Sequence, residues 1–140
     1  RRAKQVVFAS IDDPALAIAI NLLQTLSIAT DDPVIAWTLV KSETLRDLII
    51  SSETDPLVAM LQAGVKKQRF VLSSARTTAI AIRGAALALV QDILNGNSEK
   101  HAVRDFQELV LCMLGLSMED AQQVTKHAQQ FIKQQQTRLR

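Results

Sequence analysis

The chain carries three prolines, and each directly follows an aspartate: Asp13-Pro14, Asp32-Pro33 and Asp55-Pro56. An aspartate carboxylate accepts a hydrogen bond from an orphan N–H in the first turn of a helix. Proline suits the next position, because its fixed φ is already helical and the N–H it lacks had no partner there. The negative charge also complements the positive end of the helix dipole. Apolar residues at helical spacing follow each pair, so the dipeptides mark three helix starts rather than isolated turns. The prolines lie 19 and 23 residues apart. That spacing accommodates short helices in succession but is no fixed repeat.

From these anchors the rest of the chain can be divided. The first helix is expected over residues 14–29 and is apolar on most sides (Leu16, Ile18, Ile20, Leu22, Leu23, Leu26, Ile28), which predicts burial at the centre of the domain. Shorter helices are expected over 33–41, over 43–50 with Ser42 as cap, and over 56–67. The last of these ends on Lys66 and Lys67, where cations favour the C-terminal dipole. After the connection "QRFVLSSARTT", a long helix over 75–94 stops at "NGN", with Gly96 as its C-cap. Its middle is rich in small residues (Gly84, Ala85, Ala86, Ala88), so another helix can approach closely. Ser98 is the expected cap of a helix over 99–114, which Gly115 ends. Ser117 and Asp120 resemble a capping box and open a last helix with Ala121, Val124, Ala128, Phe131 and Ile132 on one face. "KQQQTRLR" has no apolar stripe and is expected to fray. "AKQVVFAS", at the front, reads as the tail of another helix. No strand alternation or hairpin signal competes, so the fold class is all-α, a helical bundle of six to seven helices.

Composition agrees and excludes several functions. The 140 residues are 48% hydrophobic and 21% charged, one ordinary globular domain. Sixteen basic and fourteen acidic residues are mixed along the chain, so the net +2 steers no charged partner. Aromatics are 4% and tyrosine is absent, which argues against a base-stacking platform. The single cysteine, Cys112, forms no intramolecular disulfide and fits a reducing, cytoplasmic setting. No secretory signal pattern appears, and the two most apolar stretches are interrupted by Asn, Gln, Thr or Arg, so no membrane association is expected. The sequence starts "RRAKQ" without Met and reads as a fragment with a segment in front.

No catalytic constellation is present, and neither enzyme activity nor a cofactor is expected. His101 and His127 fall on different helices without a second ligand at metal-binding spacing. Cys112 sits in "LVLCMLGL", the setting of a buried inert thiol. Asp12-Asp13 and Asp31-Asp32 are explained by capping. No phosphate loop or nucleophile elbow occurs. What remains is polar residues within apolar helices. Asn21, Gln24 and Thr25 share one face, at i, i+3 and i+4. They meet either solvent and internal partners or a ligand. Arg83, in the most apolar part of the long helix, either meets an acidic ligand, pairs across an interface or snorkels to water. Trp37 and Met60 are residues most often found in a core, and in a helical domain with a cavity they would also make good pocket walls.

The succession "DDPALAIAINLLQTLSIATDDPVIAWTLVKSETLRDLI", "LQAGVKKQRF", "AIRGAALALVQDILNGN" and "FQELVLCMLGLSMEDA" resembles the C-terminal ligand-binding and dimerisation domain of TetR-family transcriptional regulators. "LGLSMEDA" is similar to an ending common in that family, with Met118 where proline is frequent. The likeness spans residues 11–128. It implies a homodimer held by a four-helix bundle, built from the helices at 75–94 and 99–114 and their mates. The interface residues to examine are Arg83, Leu87, Val90, Leu94, Phe106, Val110 and Met113. It further implies a small, largely apolar or amphipathic effector, for which Asn21, Thr25, Trp37, Met60 and Arg83 are the candidate contacts. Operator DNA would be bound only by an N-terminal helix-turn-helix head, which this sequence does not contain. A HEAT-like helical interaction scaffold is the competing reading, although the uneven helix spacing counts against it.

Overall fold

The computed structural model describes residues 11–51 and 56–138. Eight helices are present among them: α1 (Pro14–Leu26), α2 (Ile28–Asp31), α3 (Pro33–Lys41), α4 (Glu43–Ser51), α5 (Pro56–Lys66), α6 (Ala75–Leu94), α7 (Ala102–Met113) and α8 (Met118–Arg138). The all-α class and the order of helices follow the sequence. The Asp55 cap and the segment "AKQVVFAS" lie outside the described residues.

The Asp-Pro starts are made as the chemistry requires. Asp13 Oδ1 accepts from Ala15 N at 3.0 Å, and Asp32 Oδ1 accepts from Ile35 N at 3.2 Å. Ser42, Ser74 and Ser117 cap α4, α6 and α8, accepting from Leu45 N at 3.2 Å, Thr77 N at 3.1 Å and Asp120 N at 3.1 Å. Each such cap contributes about 1 kcal/mol.

The structure departs from three expectations. The helix expected over 14–29 breaks at Ser27, whose hydroxyl donates to Gln24 O at 2.8 Å, and restarts as the single turn α2. A serine hydroxyl bonded back to a preceding carbonyl bends a helix in this way. Ser98 does not cap the next helix. Its hydroxyl donates to Asp92 Oδ2 at 2.6 Å, and α7 starts only at Ala102. The C-terminal segment expected to fray continues as helix to Arg138, with Phe131 and Ile132 packed against the core.

α1 is the axis of the domain. α5, α6, α7 and α8 all pack around it, which is why it is apolar on nearly every side. Ala15, Ile18, Ala19, Ile20, Leu22 and Leu26 are fully buried. Each of its large side chains contributes roughly 1.5–3 kcal/mol through burial. One polar side chain ties the axis to α7: Gln107, fully buried, donates from Nε2 to Ala19 O at 2.8 Å.

The connection from α5 to α6 fastens the other end of α1. Gln68 adopts φ +60, the left-handed conformation that ends α5, and the chain then turns back. Phe70 lies on Gly64, so closely that an added Cβ there would stand 2.0 Å from the ring. Val71 N donates to Leu114 O at 2.9 Å. Lys67 Nζ donates to Asp12 O at 2.9 Å. Arg69 reaches both Asp13, the cap of α1, and Asp120 in the first turn of α8.

Candidate functional site

α3 and α2 pack on α6, and α1 also touches it. Where they meet, a cavity of about 60 Å³ remains, lined by Thr25, Ile28, Leu39, Arg83, Ala86, Leu87 and Val90. Five of these seven side chains are apolar. The two polar ones are Thr25, from α1, and Arg83, from α6. Both are half-buried.

Local sequence explains this arrangement. On α6, Arg83, Ala86, Leu87 and Val90 recur at helical spacing and form one face. On α1, Thr25 lies one turn after Asn21. The break at Ser27 turns the chain so that Ile28 of α2 also faces the cavity. Leu39 closes it from α3.

The sequence-derived ligand contacts are thus brought together only in part. Thr25 and Arg83 line the same cavity. Asn21 is 5% exposed and its Oδ1 has no hydrogen-bond partner. Met60 packs half-buried against the core, and Trp37 is half-buried with Lys41 Nζ 5.0 Å above its ring. Neither Asn21, Trp37 nor Met60 is among the residues lining this cavity. Ile28, Leu39 and Ala86 are not among the ligand contacts expected from the sequence. Their apolar character and spacing fit core residues equally well, so periodicity alone does not distinguish them.

Larger hollows are open grooves on the surface, among them one of about 340 Å³ along α8 between Glu119 and Gln130. Another, of about 540 Å³, runs between α1–α2 and α8 beneath Gln129, Lys133, Gln135 and Gln136. A third, of about 390 Å³, lies at the start of α7. Open grooves rimmed by glutamine and lysine shield little of a ligand from water. The small cavity is less open than these grooves, and it carries the polar pair on an apolar wall.

The outer faces of α6 and α7 carry exposed small and apolar residues. α6 and the stretch 14–31 are long and apolar enough to cross a membrane by length and hydropathy alone, a test that core helices also pass; half of the latter is buried in the domain but only 22% of α6 is. The outward face of α6 is a row of small residues, with Ala81, Ala85 and Ala88 exposed at i, i+4 and i+7. Gly84, beside them, has open space around it. On α7, Leu109 is 64% and Met113 49% exposed, one turn apart. The interface residues named from the sequence divide accordingly. Met113 faces outward, whereas Val90, Phe106 and Val110 are buried within their own subunit. Leu94 packs against that core, and Arg83 and Leu87 line the cavity. The exposed small and apolar residues of α6 and α7 therefore lie one stripe further round each helix than the residues named from the sequence.

Among the described residues no three His, Cys, Asp or Glu side chains converge as a metal site would need. Cys112 is half-buried with a free thiol.

Comparison with known proteins places this geometry. Residues 13–127 match the family model described as "Tetracyclin repressor-like, C-terminal domain". The crystal structure of RolR in complex with resorcinol superposes with a TM-score of 0.75 at 17% identity, over 88% of this chain and 61% of that one. At that identity the likeness shows the fold. No curated protein matches the sequence significantly.

Proposed function

The chain belongs to the TetR family as a C-terminal ligand-binding and dimerisation domain, and on that premise we propose that it senses a small, largely apolar effector in the α1–α2–α3–α6 cavity and reports it through a homodimer. The regulator it serves is a cytoplasmic repressor. Operator DNA is contacted by a helix-turn-helix head outside these residues, and two-fold symmetry sets the two heads about one DNA turn, ~34–36 Å, apart.

One observation carries this reading. A single helix, α6, lines the cavity with one face (Arg83, Ala86, Leu87, Val90) and presents small exposed residues (Ala81, Ala85, Ala88) on the other. A ligand pressing on the first face shifts the second. The shift matters only if the ligand binds two dimer arrangements with different affinity. A 100-fold change in operator affinity needs about 2.7 kcal/mol of such coupling.

The cavity must also widen. An apolar cavity that holds benzene measures ~150 Å³, and the present one is about 60 Å³. α3 is the wall that can give way. It packs mainly on α2, α4 and α6, buries only Ala36 and Val40 fully, and leaves Val34 and Ile35 exposed.

A thermal-shift screen of small aromatics, resorcinol among them because RolR is complexed with it, tests the effector site. A ligand at 100 times its Kd stabilises the folded state by about 2.7 kcal/mol. Leu87→Trp fills the cavity and should abolish that gain. If Leu87→Trp is stabilised as much as the native chain, the effector binds elsewhere.

A further inference from the structure

The cavity's wall chemistry narrows its occupant. Ile28, Leu39, Ala86, Leu87 and Val90 favour a hydrocarbon body, and a hydrocarbon alone would need no cation beside it. Arg83 nevertheless stands in that wall, in the most apolar stretch of α6, with the Thr25 hydroxyl lining the same space. A guanidinium presents its donors in a planar fork that matches a carboxylate's two oxygens. With apolar side chains on most of the wall, that pairing is less screened than on an open surface.

We propose that the effector is a small monocarboxylic acid whose carboxylate is received by Arg83 and Thr25 while its hydrocarbon body lies among Ile28, Leu39, Ala86, Leu87 and Val90. This rests on the cavity being the effector site. Arg83 is already engaged within the subunit. The carboxylate is accommodated beside that interaction or in place of it. Effector control requires that the ligand bind two arrangements of α6 with different affinity. The size of the cavity adds a limit: without movement of α3 it admits the acid group and a few carbons, so affinity rises with the body only as far as α3 yields.

Titration calorimetry of the chain with benzoate and its neutral counterpart benzamide separates the possibilities, with resorcinol as a neutral aromatic control. Benzoate should bind roughly 10- to 100-fold more tightly than benzamide, the range expected for hydrogen bonds to a charged group. Arg83→Met should remove the preference, and Arg83→Lys, which keeps charge but loses the fork, should retain part of it. The comparison of benzoate with benzamide on the native chain decides the matter even if Arg83→Met fails to fold. Equal binding of benzamide and benzoate, or a preference that survives in folded Arg83→Met, overturns the proposal. Binding of resorcinol or benzamide that Leu87→Trp abolishes, with no binding of benzoate, overturns the acid class and leaves the cavity as effector site. Binding of all three ligands to Leu87→Trp as to the native chain overturns both.

Discussion

Arg69 grips Asp120 with two bonds, 2.6 Å from Nη1 to Oδ2 and 3.2 Å from Nη2 to Oδ1. Its Nε reaches Asp13 Oδ1 at 3.1 Å. One side chain from the α5–α6 connection thereby joins the start of the central helix to the start of the last. The hydrogen bonds Arg69 donates to Asp120 and then to Asp13 push the guanidinium pKa up, and accepting from Arg69 holds the Asp120 carboxyl below its usual 3.8.

The pair is partly exposed, so its worth is modest. Arg69→Met should cost about 1–2 kcal/mol in urea unfolding. The sign of its pH dependence is fixed. A carboxyl with a lowered folded pKa stabilises the fold above its unfolded value, and that stabilisation is lost as pH falls through the folded value. The native chain and Arg69→Met should therefore differ by a constant amount from pH 5 to pH 8 and converge only below about pH 4. Convergence near neutrality would show that the Arg69–Asp120 bond is not formed in solution.

Gly64 has no room for a side chain, because Phe70 lies on it. Gly64→Ala places a methyl inside the ring's space and should destabilise by about 1–3 kcal/mol, despite alanine's better helix propensity. Gly64→Ala combined with Phe70→Leu should recover part of the loss. An unchanged Tm in Gly64→Ala would mean that Phe70 does not pack there.

Gln107 is half satisfied: Nε2 donates to Ala19 O, and Oε1 is buried without a partner. Replacing it with a residue that has no such oxygen removes one bond and one orphan together. Gln107→Leu should fall within about 1 kcal/mol of the native stability. Gln107→Glu places a charge there and should cost several kcal/mol at neutral pH, with recovery on acidification. Equal losses for both variants would contradict the burial of this side chain.

Gly84 distinguishes the lone subunit from the dimer. Nothing lies within 4 Å of an added Cβ. Gly84→Ala should therefore stabilise the isolated subunit by about 0.5–1 kcal/mol. In a dimer whose α6 helices approach at this point, the same methyl obstructs the contact. Self-association should weaken while the diluted chain becomes more stable. A variant more stable at every concentration would place the partner elsewhere.

Local chemistry was legible in the sequence, and long-range chemistry was not. Asp13, Asp32, Ser42 and Ser117 cap helices from within three residues of their partners, and each was readable from its neighbours. Ser98 misled because Asp92, six residues back, takes its hydroxyl. Asp120 reads as a cap partner, yet its side chain belongs to Arg69, 51 residues away. The continuation of α8 was hidden because its last turns are polar and gain their support from Phe131 and Ile132 just before them. The middle of α6 is apolar or small on most sides, so periodicity could not say which face turns inward. Packing against α3 and α2 decides it, burying Val90 and leaving Ala81, Ala85 and Ala88 outside. The cavity was legible through its polar pair alone, since its five apolar walls look like core.

The central claim is that two copies associate through the outward faces of α6 and α7, with the effector cavity on the inner face of α6. Sedimentation equilibrium of the chain at 1–50 µM (a range set by roughly micromolar association), alongside Ala85→Arg and Leu109→Arg, tests it most directly. The account predicts the mass of two chains for the native protein and of one chain for each variant, with helical content unchanged. A native protein that sediments as one chain throughout, or variants that remain paired, would contradict it.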